Sequence, residues 1–350
     1  MKSSTRIYLL FLLVVLSGWV VATSIADLWS MFGETWPITL VMILGSFVAG
    51  ATAEGGGAVA FPVFTKVFGI SAQDAKIFAF MIQSVGMTTA GLFIYLKRIP
   101  VLWPVIGLVL LPGIAGLIAG HTFVHLPAPL PKLFFTFVSS VFGIFLIVQR
   151  WGLNDHPVLQ INLSIPVTSI TLVLAGFIGG MVSSIIGVGI DITLFIFLTL
   201  MFGVHEKLST PTTVILMGLL SVAGFVLYAS QPGAITPQLW KYWLSAVPVV
   251  VIGAPLGAWV CSKIKRDQLL FFLLTLIAVE LISTLWLIPL TQSSLVFIAI
   301  CCAVSVVLFS WMILFRRKNN RSYSSATDPS SANDHSSADH TSADQSSANI

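Results

Sequence analysis

Apolar runs separated by short polar turns fill most of the chain. A helix needs about 20 apolar residues to cross hydrocarbon. Runs near that length lie at Ile7–Ile25, Ile77–Leu96, Val101–Gly120, Leu133–Val148, Val214–Tyr228, Tyr242–Cys261, Leu269–Ile288 and Leu295–Phe315, and each is read as a membrane span. Two regions depart from this pattern. Ile38–Thr52 meets Glu54-Gly55-Gly56-Gly57 before resuming as Ala58–Phe68, and Ile170–Ile186 meets Gly187-Val188-Gly189-Ile190-Asp191 before resuming as Ile192–Phe202. The second piece of each is too short to span alone, so each region is predicted to be a helical hairpin dipping into the membrane.

Composition agrees with this pattern and narrows the class. Of 350 residues, 57% are hydrophobic and only 9% charged, against roughly a quarter charged in soluble domains. There is too little charge to solvate a globular surface, so an all-α integral membrane protein is expected. The net charge of +4 is scattered in short clusters, which counts against nucleic-acid binding. Cys261, Cys301 and Cys302 form no CxxC pair, so neither a zinc site nor a disulfide framework is indicated. His121-xxx-His125 has helical ligand spacing, but Pro127, Pro129 and Pro131 mark an external loop; no metal or other cofactor is expected. The first apolar run ends in small residues at Val20–Ser24, as a cleaved signal would, but its length favours an uncleaved anchor. From Asn319 the chain turns to near-repeats of Ser, Ala, Asp and His, including His335 and His340, and disorder is expected there.

Orientation follows from Lys and Arg, which collect in short cytoplasmic loops. Lys2/Arg6, Lys97-Arg98, Arg150, Lys207, Lys263/Lys265-Arg266 and Arg316-Arg317-Lys318 all fall on one side if each glycine-broken region contributes zero or two crossings. Lys66, Lys76, Lys132 and Lys241 lie outside those clusters. The two broken regions also align with each other. At one constant offset, Phe68-Gly69-Ile70 falls on Phe202-Gly203-Val204, Gly45 on Gly179 and Gly55 on Gly189; Gly116-xxx-Gly120 then matches Gly253-xxx-Gly257 after a slightly longer loop. A repeat of one hairpin plus three full helices is therefore expected. An odd number of crossings per copy makes the halves inverted, as in many secondary transporters. The expected organisation is an N-terminal anchor and external loop over 1–36, a first repeat over 37–150, a second over 151–290, a final helix over 291–318 and a cytoplasmic tail over 319–350.

The glycine breaks carry the candidate chemistry. Broken backbone at membrane depth is tolerated only when buried in protein or lining a cavity. Unwound turns expose amide groups that attract anions, and glycine lets backbone approach a ligand closely. Gly55, Gly56, Gly57, Gly187 and Gly189 are therefore candidate substrate contacts, with tight helix packing as the plain alternative. Gln83 and Ser84, polar in an apolar turn, and Thr212 extend this candidate lining. Ser71-Ala72-Gln73-Asp74 reads as an N-cap with its acid, and Ser209-Thr210-Pro211 as another cap with proline in the first turn. Glu54 and Asp191 are costly at mid-membrane. Beside an anion a carboxylate repels when ionised and is compatible when protonated. Both are candidates for proton coupling, Glu54 first and Asp191 second, with helix capping as the alternative for Asp191. Glu280, mid-span, either faces the cavity or pairs with a polar neighbour.

The pattern Gly50-x-x-x-Glu54-Gly55-Gly56-Gly57, then Pro62, then Phe68-Gly69, repeated weakly as Gly187-Val188-Gly189 to Phe202-Gly203, resembles the sulfite exporter TauE/SafE family over most of Pro37–Phe315. The resemblance implies an inner-membrane transporter of sulfur-containing or organic anions, built as a duplicated helical bundle with no consensus catalytic residue. The second copy departs from the pattern in carrying Asp191 where a third glycine would align and no proline matching Pro62. The expected partners are a small anionic substrate and the lipid bilayer, with oligomeric state open. A membrane-embedded enzyme and a non-transporting scaffold are the alternatives. The enzyme would need a nucleophile–base or metal constellation, and no intramembrane His or HExxH pattern is present.

Overall fold

The computed structural model describes residues 3–25, 27–53, 55–56, 63–127, 129–148, 150 and 158–326. Its elements are α1 (Ser3–Ile25), α2 (Phe32–Ala51), a π turn α3 (Val63–Val67), α4 (Ala72–Leu96), α5 (Trp103–Phe123) and α6 (Leu130–Ile147). Then come α7 (Pro166–Ile186), a short helix α8 (Ile190–Met201), α9 (Glu206–Ala229), α10 (Pro237–Lys263), α11 (Arg266–Leu287) and α12 (Gln292–Ala326). Ten of them are long and apolar enough to cross a membrane, and none of the described residues forms a strand element. The protein is a multi-pass helical membrane protein.

Burial sorts these helices into a centre and a rim. In α4, 78% of the most apolar window is buried inside the protein, against 11% in α1 and 17% in α12. α4 and α9 therefore form the middle, while α1 and α12 offer most of their apolar surface to lipid, where burial by protein is not needed. α1 is held by a few contacts. Trp19 Nε1 donates to Leu244 O at 2.7 Å, and Tyr8 meets Phe93 edge-on at 5.3 Å.

The helix starts show where capping rules hold and where tertiary contacts override them. Ser71 Oγ accepts the Asp74 N–H at 3.0 Å and donates to the Asp74 carboxylate at 2.8 Å, so α4 begins as its sequence predicts. α9 does not start at Ser209. His205 is its cap, with Nδ1 accepting the Lys207 N–H at 3.1 Å, and Ser209, Thr210 and Pro211 are buried within the helix. The extra turn is anchored by Glu206, which accepts two hydrogen bonds from Arg266 at 2.6 and 2.7 Å. Bidentate pairing of this kind fixes the start of α9 against the start of α11. Burial pushes the His205 imidazole below its ordinary value, which keeps Nδ1 unprotonated for the cap. Two boundaries also move. α2 starts at Phe32 and carries Pro37 in its second turn, where the helix forgoes one i→i−4 hydrogen bond. α12 runs past Asn319 to Ala326, and the tail beyond lies outside the described residues.

Packing between the central helices is unusually close at glycines. α5 lies on α7, α10 lies on α2, and α4 lies on α9 and α10. A Cβ on Gly116 would stand 2.0 Å from Phe177 O, and one on Gly180 would stand 2.0 Å from Gly113 O. On the other side, a Cβ on Gly257 would stand 2.1 Å from Phe47 O, and one on Gly50 would stand 1.8 Å from Ala254 O. Backbone meets backbone at both interfaces, as small residues permit between membrane helices.

Candidate functional site

Each glycine-broken region folds back on its own first helix. In the second, the Gly187 backbone is left-handed at φ +86°, a conformation that favours glycine, and its N–H closes α7 on Ser183 O at 2.7 Å. The chain restarts as α8 at Ile190, whose N–H is taken by Ser183 Oγ at 2.9 Å. Asp191 stabilises the turn from within. Its Oδ1 accepts the Gly189 N–H and the Ile192 N–H, both at 3.0 Å. In the first region α2 ends at Ala51, and Gly56 returns beside Gly45, where a Cβ on Gly56 would lie 3.3 Å from Gly45 O.

The two breaks meet. Gly55, left-handed at φ +67°, faces the second break so closely that a Cβ there would stand 2.6 Å from Asp191 Oδ2. The same point is 3.5 Å from both Gln83 Oε1 and Val188 Cγ1. Gln83 ties the central helix to this junction, its Nε2 donating to Gly187 O and to Ala79 O, each at 3.1 Å. Among the described residues two acceptors here have no hydrogen-bond partner: Asp191 Oδ2 and Gln83 Oε1 are both buried, with Asp191 0% and Gln83 3% exposed. Buried acceptors left unmade are costly, of order 1–3 kcal/mol each and more for a charged group. Both flank the Gly55 Cβ position.

A small cavity opens beside the junction. Met42, Gly45 and Ser46 of α2, Gly56 of the break, and Gln83 and Gly86 of α4 are among its lining residues, and α10 closes it with Val250 and Ala254. The lining is apolar apart from Ser46 and Gln83 and includes no cation.

The predicted residues divide accordingly. Gly55, Gly56, Gln83, Gly187, Gly189 and Asp191 come together at the junction, whereas Glu54 and Gly57 lie outside the described residues. Ser84 does not join them. Its hydroxyl donates to Met81 O at 2.8 Å on its own helix, because residues one apart on a helix point about 100° apart. Thr212 is also elsewhere, donating to Leu208 O at 2.7 Å and accepting the Leu102 N–H at 3.0 Å, where it secures the turn before α5. Glu280 is paired, with Lys132 and Thr136 on α6, away from the junction. Ser46 and the α10 wall of the cavity were not foreseen. A serine in an apolar helix gives no sign of which neighbour it faces.

The junction makes a substitution at Gly55 informative. Gly55→Ala adds a methyl group against Asp191 Oδ2 and places a side chain at positive φ, which costs about 1–2 kcal/mol before any clash. The expected result is a protein that still elutes as a monodisperse peak in detergent and has lost most of its transport. Full transport by that variant would show that the contact between the breaks is dispensable.

Ten helices are long and apolar enough to cross a membrane, and two glycine breaks meet at a buried polar point. The sequence model of the sulfite exporter TauE/SafE family matches residues 38–284, which takes in both breaks and every helix from α4 to α10. The chain belongs to that family of membrane transporters. No curated protein and no solved structure matches it.

Proposed function

We propose that this protein is a secondary transporter that moves a small sulfur oxyanion, a sulfonate or a related carboxylate across the inner membrane by alternating access, linked to protons through Asp191. The observation that carries the reading is the contact of Gly55 with Asp191, at which one hairpin from each half of the chain reaches a common buried point. The inverted repeat is supported by how the halves exchange partners. α5 of the first half packs on α7 of the second, and α10 of the second packs on α2 of the first. The aligned glycines Gly116/Gly120 and Gly253/Gly257 supply the close approach in each case. Opposed halves of this kind have two similar-energy arrangements, one open to each side. The C-terminal tail then lies on the cytoplasmic side, by the distribution of Lys and Arg.

Proton linkage follows from the charge arithmetic at the junction. An ionised Asp191 beside Gln83 Oε1 presents acceptors only, which repel an incoming anion. Protonated, its Oδ2 becomes a donor that a passing oxyanion accepts. Proton and anion therefore enter together, and neither occupies the junction comfortably alone. The test is flux into proteoliposomes with sulfite, thiosulfate, sulfoacetate and simple carboxylates, with and without a pH gradient. In Asp191→Asn the gradient is expected to drive no accumulation, while exchange of anion for anion persists, because the amide keeps a donor but carries no titratable proton. Gradient-driven accumulation equal to the unaltered protein would remove Asp191 from coupling. Glu54→Gln, measured alongside, shows whether the neighbouring acid shares the role.

A further inference from the structure

Among the described residues the junction holds no cation, yet an anion must be drawn into an apolar bundle against a desolvation cost. Two lysines stand where that attraction is needed. Along α4, Lys76 lies in the second turn, and a Cβ on Gly187 would be 2.7 Å from its backbone O, so the second break reaches it directly. Its ammonium sits 5.7 Å above the Tyr228 ring. Tyr228 OH and Gln231 Nε2 hold the two nitrogens of His121, at 3.3 and 2.9 Å. With the amide nitrogen donating to His121 Nε2, the ring proton resides on Nδ1 and goes to the phenol oxygen. The phenol proton is then left for another acceptor.

The second lysine, Lys207 of α9, stands near the opposite end of α4. Gly50, Ile94, Ile99, Lys207, Thr210 and Ser262 line a small pocket there. Lys76 and Ile94 are about 27 Å apart along the helix axis, which is close to a bilayer's hydrocarbon thickness. Of the arginines near that end, Arg266 is paired with Glu206 and Arg150 with Asp267. Among the described residues neither Lys76 nor Lys207 has a carboxylate within ion-pair distance. Half-buried ammonium groups, one over the Tyr228 phenol and one in a pocket beside Thr210, with no described carboxylate to pair with, call for an external anion.

We propose that Lys76, with the His121–Tyr228–Gln231 chain, and Lys207, with Thr210 and Ser262, are two oxyanion-docking positions at opposite mouths of the path, each loading one of the two access states. The proposal rests on the transporter reading for its direction of use, but not for binding itself. Purified protein in detergent is titrated with ³⁵S-sulfite, and one-sided uptake is measured in right-side-out and inside-out vesicles. Lys76→Gln is expected to raise the half-saturating concentration about tenfold from one side only, and Lys207→Gln from the other, with maximal rates kept within about twofold. Lys76→Arg and Lys207→Arg restore the affinity, which a purely packing role would not predict. Unchanged half-saturation in both Gln variants overturns the docking positions, as does a shift from the same side in both. Sulfite binding that weakens in the Gln variants without any flux in the unaltered protein supports docking and overturns the transporter reading instead. An unaltered protein that binds no sulfite overturns docking of that anion.

Discussion

Gly116→Ala is expected to cost at least ~3 kcal/mol of stability, although alanine is the better helix former. The added methyl group would stand 2.0 Å from Phe177 O and 2.8 Å from Phe177 C, both backbone atoms that no rotamer change can move. α5 and α7 must separate, and the separation is transmitted to Gly180, whose Cβ position lies 2.0 Å from Gly113 O. Gly257→Ala, 2.1 Å from Phe47 O, should lose a comparable amount at the α10–α2 contact. Gly107→Ala is the control on the same helix, since nothing lies within 4 Å of its Cβ position; it should be neutral or gain ~0.5 kcal/mol from helix propensity. Thermal unfolding in detergent, followed by the loss of the monodisperse elution peak, orders the three. A Gly116→Ala midpoint equal to that of Gly107→Ala would mean that α5 and α7 do not pack on backbone. A large gap between Gly116→Ala and Gly257→Ala would count against equivalent interfaces in the two halves.

These glycines show what the sequence could reveal. Close helix contacts demand glycine whatever the surrounding apolar residues are, so Gly116-xxx-Gly120 and Gly253-xxx-Gly257 stand out in a sequence of interchangeable Leu, Ile and Val. The breaks at Gly55 and Gly187 were legible for a similar reason, as positive φ there admits few other residues. Which helix each glycine touches was not visible. Gly116 meets α7 of the other half instead of a neighbour in its own, and nothing local records a long-range partner. The same limit applied to polar residues. Gln83 and Ser84 are adjacent and chemically alike, and only the rotation of α4 about its axis separates the one at the junction from the one that bonds its own helix. The start of α9 was misplaced because Arg266, far along the chain, holds Glu206 in the helix. The four lysines outside the basic clusters were a puzzle of topology alone. Two of them now have physical settings: Lys76 at a mouth of the bundle, and Lys132 in a buried pair.

That pair carries the second large expected effect. Lys132 and Glu280 are 4% and 2% exposed, and Thr136 donates to Glu280 Oε1 at 2.7 Å while sharing a 3.0 Å contact with Thr284. Removing one charge leaves the other buried among apolar side chains, which costs about 3–5 kcal/mol, whereas replacing both with apolar residues of similar volume is often neutral. Lys132→Met should therefore sharply lower the unfolding midpoint, Glu280→Leu should do the same, and the double variant should recover most of the loss. Non-additivity of this size is the signature of direct coupling. The functional consequence separates two roles for Glu280. The pair joins α6 to α11, whereas Asp191 and Gln83 sit at the meeting of the two breaks, so the double variant should keep the pH dependence of flux. Should it refold to normal stability yet lose gradient-driven accumulation, Glu280 belongs to the proton path, and coupling extends from the junction to the rim of the bundle.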